Sequence, residues 1–388
     1  MSGPPPAPPW ARALTRIGVT GTNGKTSTTW MIAAILQAEA PPVVRTSTLG
    51  SWIGDERLEL PLDYSGFLRT LRTGVDRGGR YAVLELTSEA LAHGFCKAWP
   101  CQIGVFTNLT EDHLKFHKTF EHYLASKAQL FLSLLPNGTA VLNADDPCSD
   151  LLAEVVPPHA RVLRAGFRQD APVRGSNIRV SVGTTSFSVD GELGSADVRI
   201  PLIGRVFAAN ALAAIAAASA LGIPLERSVS ALATFRPPPG RFEVVHTSPT
   251  VIIDFAHTPD AMARTVTQAR ELCTGKLWLV FGAGGNRDAE KRPRMGSAAA
   301  SADRIVLTSD NPRDESAEAI ATAIRAGLQH HTGVSVELDR FAAIRLALQG
   351  AAPDDWVLIA GKGHETGQEI SGILHPFSDH DAVQACLK

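Results

Sequence analysis

The run Ile17-Gly18-Val19-Thr20-Gly21-Thr22-Asn23-Gly24-Lys25-Thr26-Ser27 places glycines, a lysine and hydroxyl side chains directly behind a short apolar stretch. These residue types at this spacing suit a triphosphate. Backbone N–H groups of a glycine turn point into one concavity, and the helix that follows adds the positive end of its dipole. Lys25 reaches terminal phosphates and the Thr26 hydroxyl can ligate Mg2+. Glycine serves where a Cβ would block the phosphates. The general phosphate-loop pattern puts its first glycine at position 19, which is Val19 here, with glycines at 18 and 21 instead. That departure narrows the family and leaves the nucleotide in place. A turn that merely joins strand to helix would not account for the Gly-Lys-Thr that follows.

Glu85 ends the apolar run Tyr81-Ala82-Val83-Leu84, so its carboxylate is expected on the same rim as the loop, where it could hold Mg2+ opposite Thr26. Thr107-Asn108-Leu109-Thr110-Glu111-Asp112-His113 follows another apolar run, and Lys127 comes later in Ser126-Lys127-Ala128. Taken singly, such a His or Lys is an ordinary surface or structurally satisfied residue. Together they suggest a site around the triphosphate.

The elements that must position these groups are legible as short apolar runs alternating with longer helical stretches, the pattern of an α/β protein with a mostly parallel sheet. In the first half the runs are Ile17 to Val19, Tyr81 to Leu86, Ile103 to Phe106 and Ala140 to Leu142. Between Asn177 and Leu202 the pattern becomes alternation with turn residues, which reads as a small antiparallel sheet on the same domain. Val206 to Pro224 is uncharged and alanine-rich but carries Asn210 and Ser219, so a buried helix explains it better than a membrane span. Arg236-Pro237-Pro238-Pro239-Gly240-Arg241 is a strong breaker. A second parallel, Rossmann-like set follows: Val251 to Phe255, Leu277 to Phe281, Arg304 to Leu307 and Trp356 to Ala360. The expected division is a Pro-rich disordered tail over 1–11, a central ATP-binding domain over 12–236 and a C-terminal domain over 237–388.

A chain of 388 residues with net charge -2 has room for two cores and does not favour a polyanion as partner. Its five cysteines form no CxxC pair, which points to neither a zinc site nor a disulfide framework and suits a reducing cytoplasm. The start lacks the charged-then-apolar order of a signal peptide.

The motifs as a set resemble the Mur ligase superfamily, the ATP-dependent amide-bond ligases of peptidoglycan assembly, and most specifically the type that adds the third peptide residue. In the central part the resemblance rests on Gly21 to Thr26, Thr107 to His113, Ser126 to Ala128, Asn210-Ala211-Leu212 and Pro239-Gly240-Arg241. Beyond these it rests on Asp254 to Asp260, Gly284 to Asp288, Lys291-Arg292-Pro293, Asp310-Asn311-Pro312-Arg313 and Gly361-Lys362-Gly363-His364-Glu365. It implies that a substrate carboxylate attacks the γ-phosphate of ATP and that an amine then displaces phosphate from the acyl phosphate. It also implies nucleotide contacts from Gly21, Thr22, Asn23, Gly24, Lys25, Thr26, Ser27, Asn210, Arg241, Asp254 and His257, brought together by domain closure. Catalysis falls to Lys25, Glu85, His113 and Lys127. Two Mg2+ sites are implied, one at Thr26 and Glu85, the other at His113 and a carbamylated Lys127. On local sequence alone, Asp254 and His257 could instead cap the helix that follows.

For the incoming amino acid, the resemblance implies meso-diaminopimelate or a similar diamino acid held by Arg287, Asn311, Arg313, Gly361 and Glu365. Arg313 would take the distal carboxylate and Glu365 the distal ammonium; a guanidinium fork suits a carboxylate because it can bind it at two points. Departures fall on the acceptor side. Few residues precede the first strand, so the family's N-terminal UDP-binding domain is expected to be absent. Leu60-Pro61-Leu62-Asp63-Tyr64-Ser65 stands where relatives carry Thr-Thr-Pro, and Glu89 stands where they carry histidine. The expectation is therefore an acceptor without UDP. The alternatives are an ordinary peptidoglycan ligase aided by a partner protein, a folylpolyglutamate-like ligase, or a non-catalytic ATP-binding subunit. No nucleic-acid partner is expected, and the chain is expected to be monomeric or dimeric.

Overall fold

A glycine in left-handed backbone starts the helix that matters most: Gly24 has φ 83° and precedes α1 (Lys25–Glu39) without any side-chain cap. The computed structural model describes residues 3–110 and 114–388 and divides into two compact units, Met1–Pro238 and Pro239–Lys388. In the first, the strands are β1 (Thr15–Thr20), β2 (Val44–Ser47), β3 (Gly50–Ile53), β4 (Glu56–Leu58), β5 (Tyr81–Glu85), β6 (Ile103–Phe106), β7 (Thr139–Asn143), β8 (Arg161–Gly166), β9 (Val173–Ser181), β10 (Thr184–Gly191) and β11 (Ala196–Ile200). They form one sheet in the order β11-β10-β9-β8-β7-β6-β1-β5-β2-β3-β4. The run from β2 through β5, β1, β6, β7 and β8 is parallel. Its inner strands β5, β1, β6 and β7 are buried on both faces, which is why they read as continuous apolar runs.

The alternating stretch forms antiparallel β9, β10 and β11, but these are not a separate sheet. β9 pairs in parallel with β8 at Ala165↔Val173 and Gly166↔Arg174, so the antiparallel part extends the main sheet. The helices after α1 are α2 (Tyr64–Asp76), α3 (Ser88–Ala92), α4 (Phe95–Ala98), α5 (Leu114–His117), α6 (Phe120–Leu132), α7 (Cys148–Glu154), α8 (Arg205–Ser219) and α9 (Leu225–Ala233). The alanine-rich stretch is α8, buried along most of its length, and its small side chains let it lie against α1.

Within the expected disordered tail over 1–11, the segment from Pro5 on is instead seated. Ala7 N donates to Ala98 O at 3.1 Å, the Tyr64 hydroxyl donates to Pro5 O at 3.1 Å, and the Trp10 ring stands 6.4 Å from that of Trp99. A proline-rich composition signals little local structure, but Trp10 and Ala11 give this segment apolar surface to bury, and Ala11 is buried.

The second unit holds β12 (Glu243–Thr247), β13 (Thr250–Asp254), β14 (Leu277–Phe281), β15 (Arg304–Leu307), β16 (Val334–Val336), β17 (Trp356–Ala360) and a hairpin of β18 (Gly367–Ile370) and β19 (Ile373–Pro376). Its six-stranded sheet has the order β12-β13-β17-β14-β15-β16 and is parallel except at β12. The helices are α10 (Pro259–Leu272), α11 (Lys291–Ala299), α12 (Ala317–Arg325), α13 (Arg340–Gly350) and α14 (Asp379–Leu387). Among the described residues, no helix is long and apolar enough to cross a membrane.

Candidate active site

In the first unit the register sets the site, because Val19 pairs with both Glu85 and Val105 and so puts the loop after β1 between the ends of β5 and β6. A Cβ on Gly21 would lie 1.9 Å from Thr107 Oγ1, so only glycine lets the loop pass there. The loop after β6 clamps it. Asn23 N donates to Asn108 Oδ1 at 3.0 Å, Asn108 Nδ2 donates to Asn23 O at 3.0 Å, and Thr107 Oγ1 donates to Asn23 O at 2.6 Å. Thr22 N donates to Asn108 O at 2.8 Å, and Thr22 Oγ1 accepts from Thr110 N at 3.0 Å. Thr107 and Asn108, motif residues to which the sequence assigns no role, fix the shape of the cradle.

Two ammonium groups meet at this loop. Lys25 Nζ donates to Gly21 O at 3.1 Å and to Thr22 O at 2.8 Å, while Lys127 Nζ, 1% exposed as a residue, donates to Gly21 O at 2.7 Å. Both ammonium groups thus converge on one backbone carbonyl of the loop. Thr26 Oγ1 donates to Glu85 Oε2 at 3.0 Å, so the two expected Mg2+ ligands are already adjacent and offer the oxygen atoms a hard cation prefers. Ser27 is buried in the first turn of α1. His113 lies outside the described residues.

Asn210, on α8, gives the strongest sign of a ligand. It is 3% exposed, its Nδ2 has no hydrogen-bond partner among the described residues, and a Cβ on Gly24 would sit 2.5 Å from its Oδ1. A buried amide donor left unpaired beside an uncapped helix start suits a phosphate-bearing nucleotide. A second feature escaped the sequence reading. Buried His117 contacts Ser88 Oγ at 2.9 Å through Nε2 and His122 Nδ1 at 3.2 Å through Nδ1, which ties α3 to the helix that carries Lys127. The Leu60–Ser65 segment has a local task, since Asp63 caps α2 by accepting from Gly66 N at 2.9 Å.

In the second unit the loops after β13, β14, β15 and β17 share one rim. Asp254 accepts from Phe242 N at 2.8 Å, Ala256 N at 2.9 Å and Thr265 Oγ1 at 3.1 Å. Burial pushes its carboxyl above the usual carboxylate range, against the pull of Arg241 and these bonds. The Arg241 guanidinium lies 4.4 Å over the Phe255 ring, which also packs on His257 at 4.6 Å and His364 at 5.2 Å. Asp254 and His257 do not cap α10; that task falls to Thr258, which accepts from Ala261 N at 3.2 Å.

The amino-acid group forms a linked set. Asn311 Nδ2 donates to Glu365 Oε2 at 2.9 Å, and buried Lys362 donates to that same oxygen at 3.0 Å and to Asn311 Oδ1 at 3.2 Å. Burial opposes ionisation of Glu365, but the Lys362 charge and these bonds hold its carboxyl below the ordinary range. Glu365 Oε1 makes no hydrogen bond among the described residues, which leaves it for an ammonium. Gly361 has φ 111°, and a Cβ there would lie 2.5 Å from Asp310 Oδ2. Behind the rim, Arg340 and Asp379 form a fully buried ion pair at 2.7 Å, and Arg340 Nη2 also donates to Ala360 O at 3.1 Å. Arg287 is exposed on the loop at 284–288, and both it and Arg313 come close to Gly284. Arg313 is already engaged: Nε donates to Glu369 Oε2 at 2.8 Å and Nη1 to Gly285 O at 2.8 Å. Lys362 lies inside the Gly361–Glu365 motif, whereas nothing in the local sequence marks Glu369.

Comparison with known proteins fits this geometry. The Mur ligase middle domain matches residues 19–218, and the Mur ligase, glutamate ligase domain matches 240–363. The chain is 42% identical over 387 residues to the UDP-N-acetylmuramoyl-L-alanyl-D-glutamate--2,6-diaminopimelate ligase of Thermosynechococcus vestitus, covering 97% of this chain and 77% of that one. It is 40% identical to the enzyme of that name from Aquifex aeolicus, with 96% and 77% covered. A solved structure of a ligase of the same name superposes with TM-score 0.69 at 34% identity over 96% of this chain and 78% of that one. Folylpolyglutamate synthase of Mycobacterium tuberculosis, solved with ADP, shares the fold with TM-score 0.76 at 21% identity, over 91% of this chain and 88% of that one. The chain belongs to the Mur ligase family.

Proposed function

We propose that this chain is an ATP-dependent ligase that joins meso-diaminopimelate, through an amide bond, to the carboxylate of UDP-N-acetylmuramoyl-L-alanyl-D-glutamate in peptidoglycan precursor assembly. The observation that carries the amino-acid half is the rim of the second unit, where Arg313, Asn311 and Glu365 bring a guanidinium, an amide and a carboxylate with a spare oxygen together. That set matches an amino acid whose far end bears both a carboxylate and an ammonium. The acceptor half follows the names of the relatives. They lend no support to an acceptor without UDP, which the departures at Leu60–Ser65 and Glu89 had suggested.

In this reading the acceptor carboxylate attacks the γ-phosphorus of ATP and ADP leaves. The amine then attacks the acyl carbon, phosphate departs, and the amine loses a proton. Lys25 and the N–H groups that open α1 offset charge where carboxylate and triphosphate meet. Thr26 and Glu85 would hold Mg2+, which supplies further charge neutralisation when bound. Lys127 carbamylation is compatible with its contact to Gly21 O, since a carbamate nitrogen keeps one N–H to donate.

Phosphate release with ATP, Mg2+ and meso-diaminopimelate, measured across acceptors with and without UDP, tests the reading. Turnover is expected with the UDP-muramoyl dipeptide. Turnover confined to a UDP-free acceptor would replace the acceptor half, and none with any acceptor would sink the proposal. Lys127→Ala should lower kcat by about a hundredfold or more; full turnover in that variant would remove Lys127 from the machinery.

A further inference from the structure

Arg313 is the residue that should greet the distal carboxylate, yet the chain supplies a carboxylate of its own to it. Glu369 Oε2 accepts from Arg313 Nε at 2.8 Å, and the two side chains are 40% and 22% exposed. The contact is built into the backbone as well. Arg313 N donates to Glu369 O at 3.0 Å, Ser371 N donates to Arg313 O at 2.8 Å, and Glu369 N donates to Asn311 Oδ1 at 2.9 Å. Arg313 itself holds φ 53°, a left-handed conformation uncommon for arginine, which these bonds from β18 over-determine. The pairing of Arg313 with Glu369 therefore comes from how β18 is docked, and no chance meeting of surface charges is needed to explain it.

A guanidinium has five N–H donors arranged in two edges, each able to take a carboxylate at two points. Glu369 sits on Nε and so takes part of the side edge, while Gly285 O takes one donor of Nη1. An incoming acid finds the positive charge already partly neutralised. We propose that Glu369 is a specificity-determining residue that acts as an internal competitor for Arg313, weakening the hold on a distal carboxylate and setting how strongly the site prefers an acidic diamino acid to one that lacks the second acid group. The inference rests on the reading of this rim as the amino-acid site.

The test compares wild type with Glu369→Gln and Glu369→Ala, by steady-state phosphate release with varied meso-diaminopimelate or L-lysine and by calorimetric binding of each amino acid to the protein. Removing the competitor should lower the KM and Kd for meso-diaminopimelate roughly three- to tenfold, the size of a partly exposed ion pair, with kcat changed less than KM. L-Lysine, which has no distal carboxylate, should bind no more tightly than to wild type. A KM and Kd for meso-diaminopimelate that stay unchanged or rise in both variants would overturn the proposal, as would an equal gain for both amino acids. These outcomes differ from failure of the functional reading itself, in which wild type neither binds nor turns over meso-diaminopimelate. Because Glu369 is partly exposed and its backbone bonds do not use the side chain, both variants should keep the wild-type melting temperature within a few degrees.

Discussion

Asn210 shows how a single buried donor can mark a ligand. Among the described residues its Nδ2 has no partner, so the fold gains little from it, whereas a bound phosphate-bearing nucleotide beside Gly24 would. Asn210→Ala should therefore raise the KM for ATP about tenfold or more while lowering the melting temperature by only a few degrees, as measured by kinetics and thermal unfolding. A large loss of stability with unchanged KM would make Asn210 a packing residue. Lys25, Thr26, Glu85 and Lys127 were legible in the sequence because each follows an apolar run or sits in a short motif, and the structure brings all of them to the loop after β1. Glu369 was not legible. Its meaning depends on the pairing of β18 with Arg313, which no local pattern in Gly367-Gln368-Glu369-Ile370 encodes.

Among the elements, β1, β5, β6, β7, β13, β14, β15 and β17 fall on the apolar runs read from the sequence, since burial leaves a nearly unbroken apolar signature, whereas the more exposed or polar β2, β4, β8, β12 and β16, and the short β3, leave none that was read. The segment before β1 was misread for the opposite reason. Its local composition signals disorder, and its order comes from Trp10 reaching Trp99 and the core around it in a distant part of the chain. Trp10→Ala should destabilise the protein by about 1–2 kcal/mol, since the ring is only partly buried. Denaturant unfolding measures this directly, and a variant as stable as wild type would return the segment to a loose tail.

At the scale of the whole molecule, the two units have separate cores, and stability need not respond to pH in the same way in each. In the second unit His380 Nε2 meets Glu243 Oε2 at 2.9 Å, and Glu243 also accepts from Gly240 N at 2.7 Å. The hydrogen bond to Glu243 raises the His380 value above 6.5 despite partial burial, and Glu243, although burial opposes it, is held below 4.5 by His380 and the Gly240 N–H. A raised histidine contributes stability that is complete below pH 6.5 and is lost as pH climbs through its folded value; a depressed carboxylate contributes stability that is complete above pH 4.5 and is lost as pH falls through its own. The pair thus contributes most between these two values. His380→Ala should lower stability by about 1 kcal/mol there, with the difference from wild type shrinking as pH rises through the raised folded value of His380. A difference independent of pH would show that His380 acts through packing alone.

The buried Arg340–Asp379 pair carries a consequence for biosynthesis. A ribosome makes Asp310, Asn311, Arg313, Gly361, Glu365 and Glu369 before it makes Asp379, yet the Arg340 guanidinium behind that rim has Asp379 as its buried counter-ion. Until α14 emerges, Arg340 would lack its hydrogen-bonded carboxylate and would face only the more distant charges of Asp310 and Glu365 from this rim. The amino-acid pocket is therefore expected to consolidate late in synthesis; nascent chains stalled before residue 379 should be more protease-sensitive across the second unit than the full chain, and equal protection of the two would show that α14 is not needed to hold Arg340.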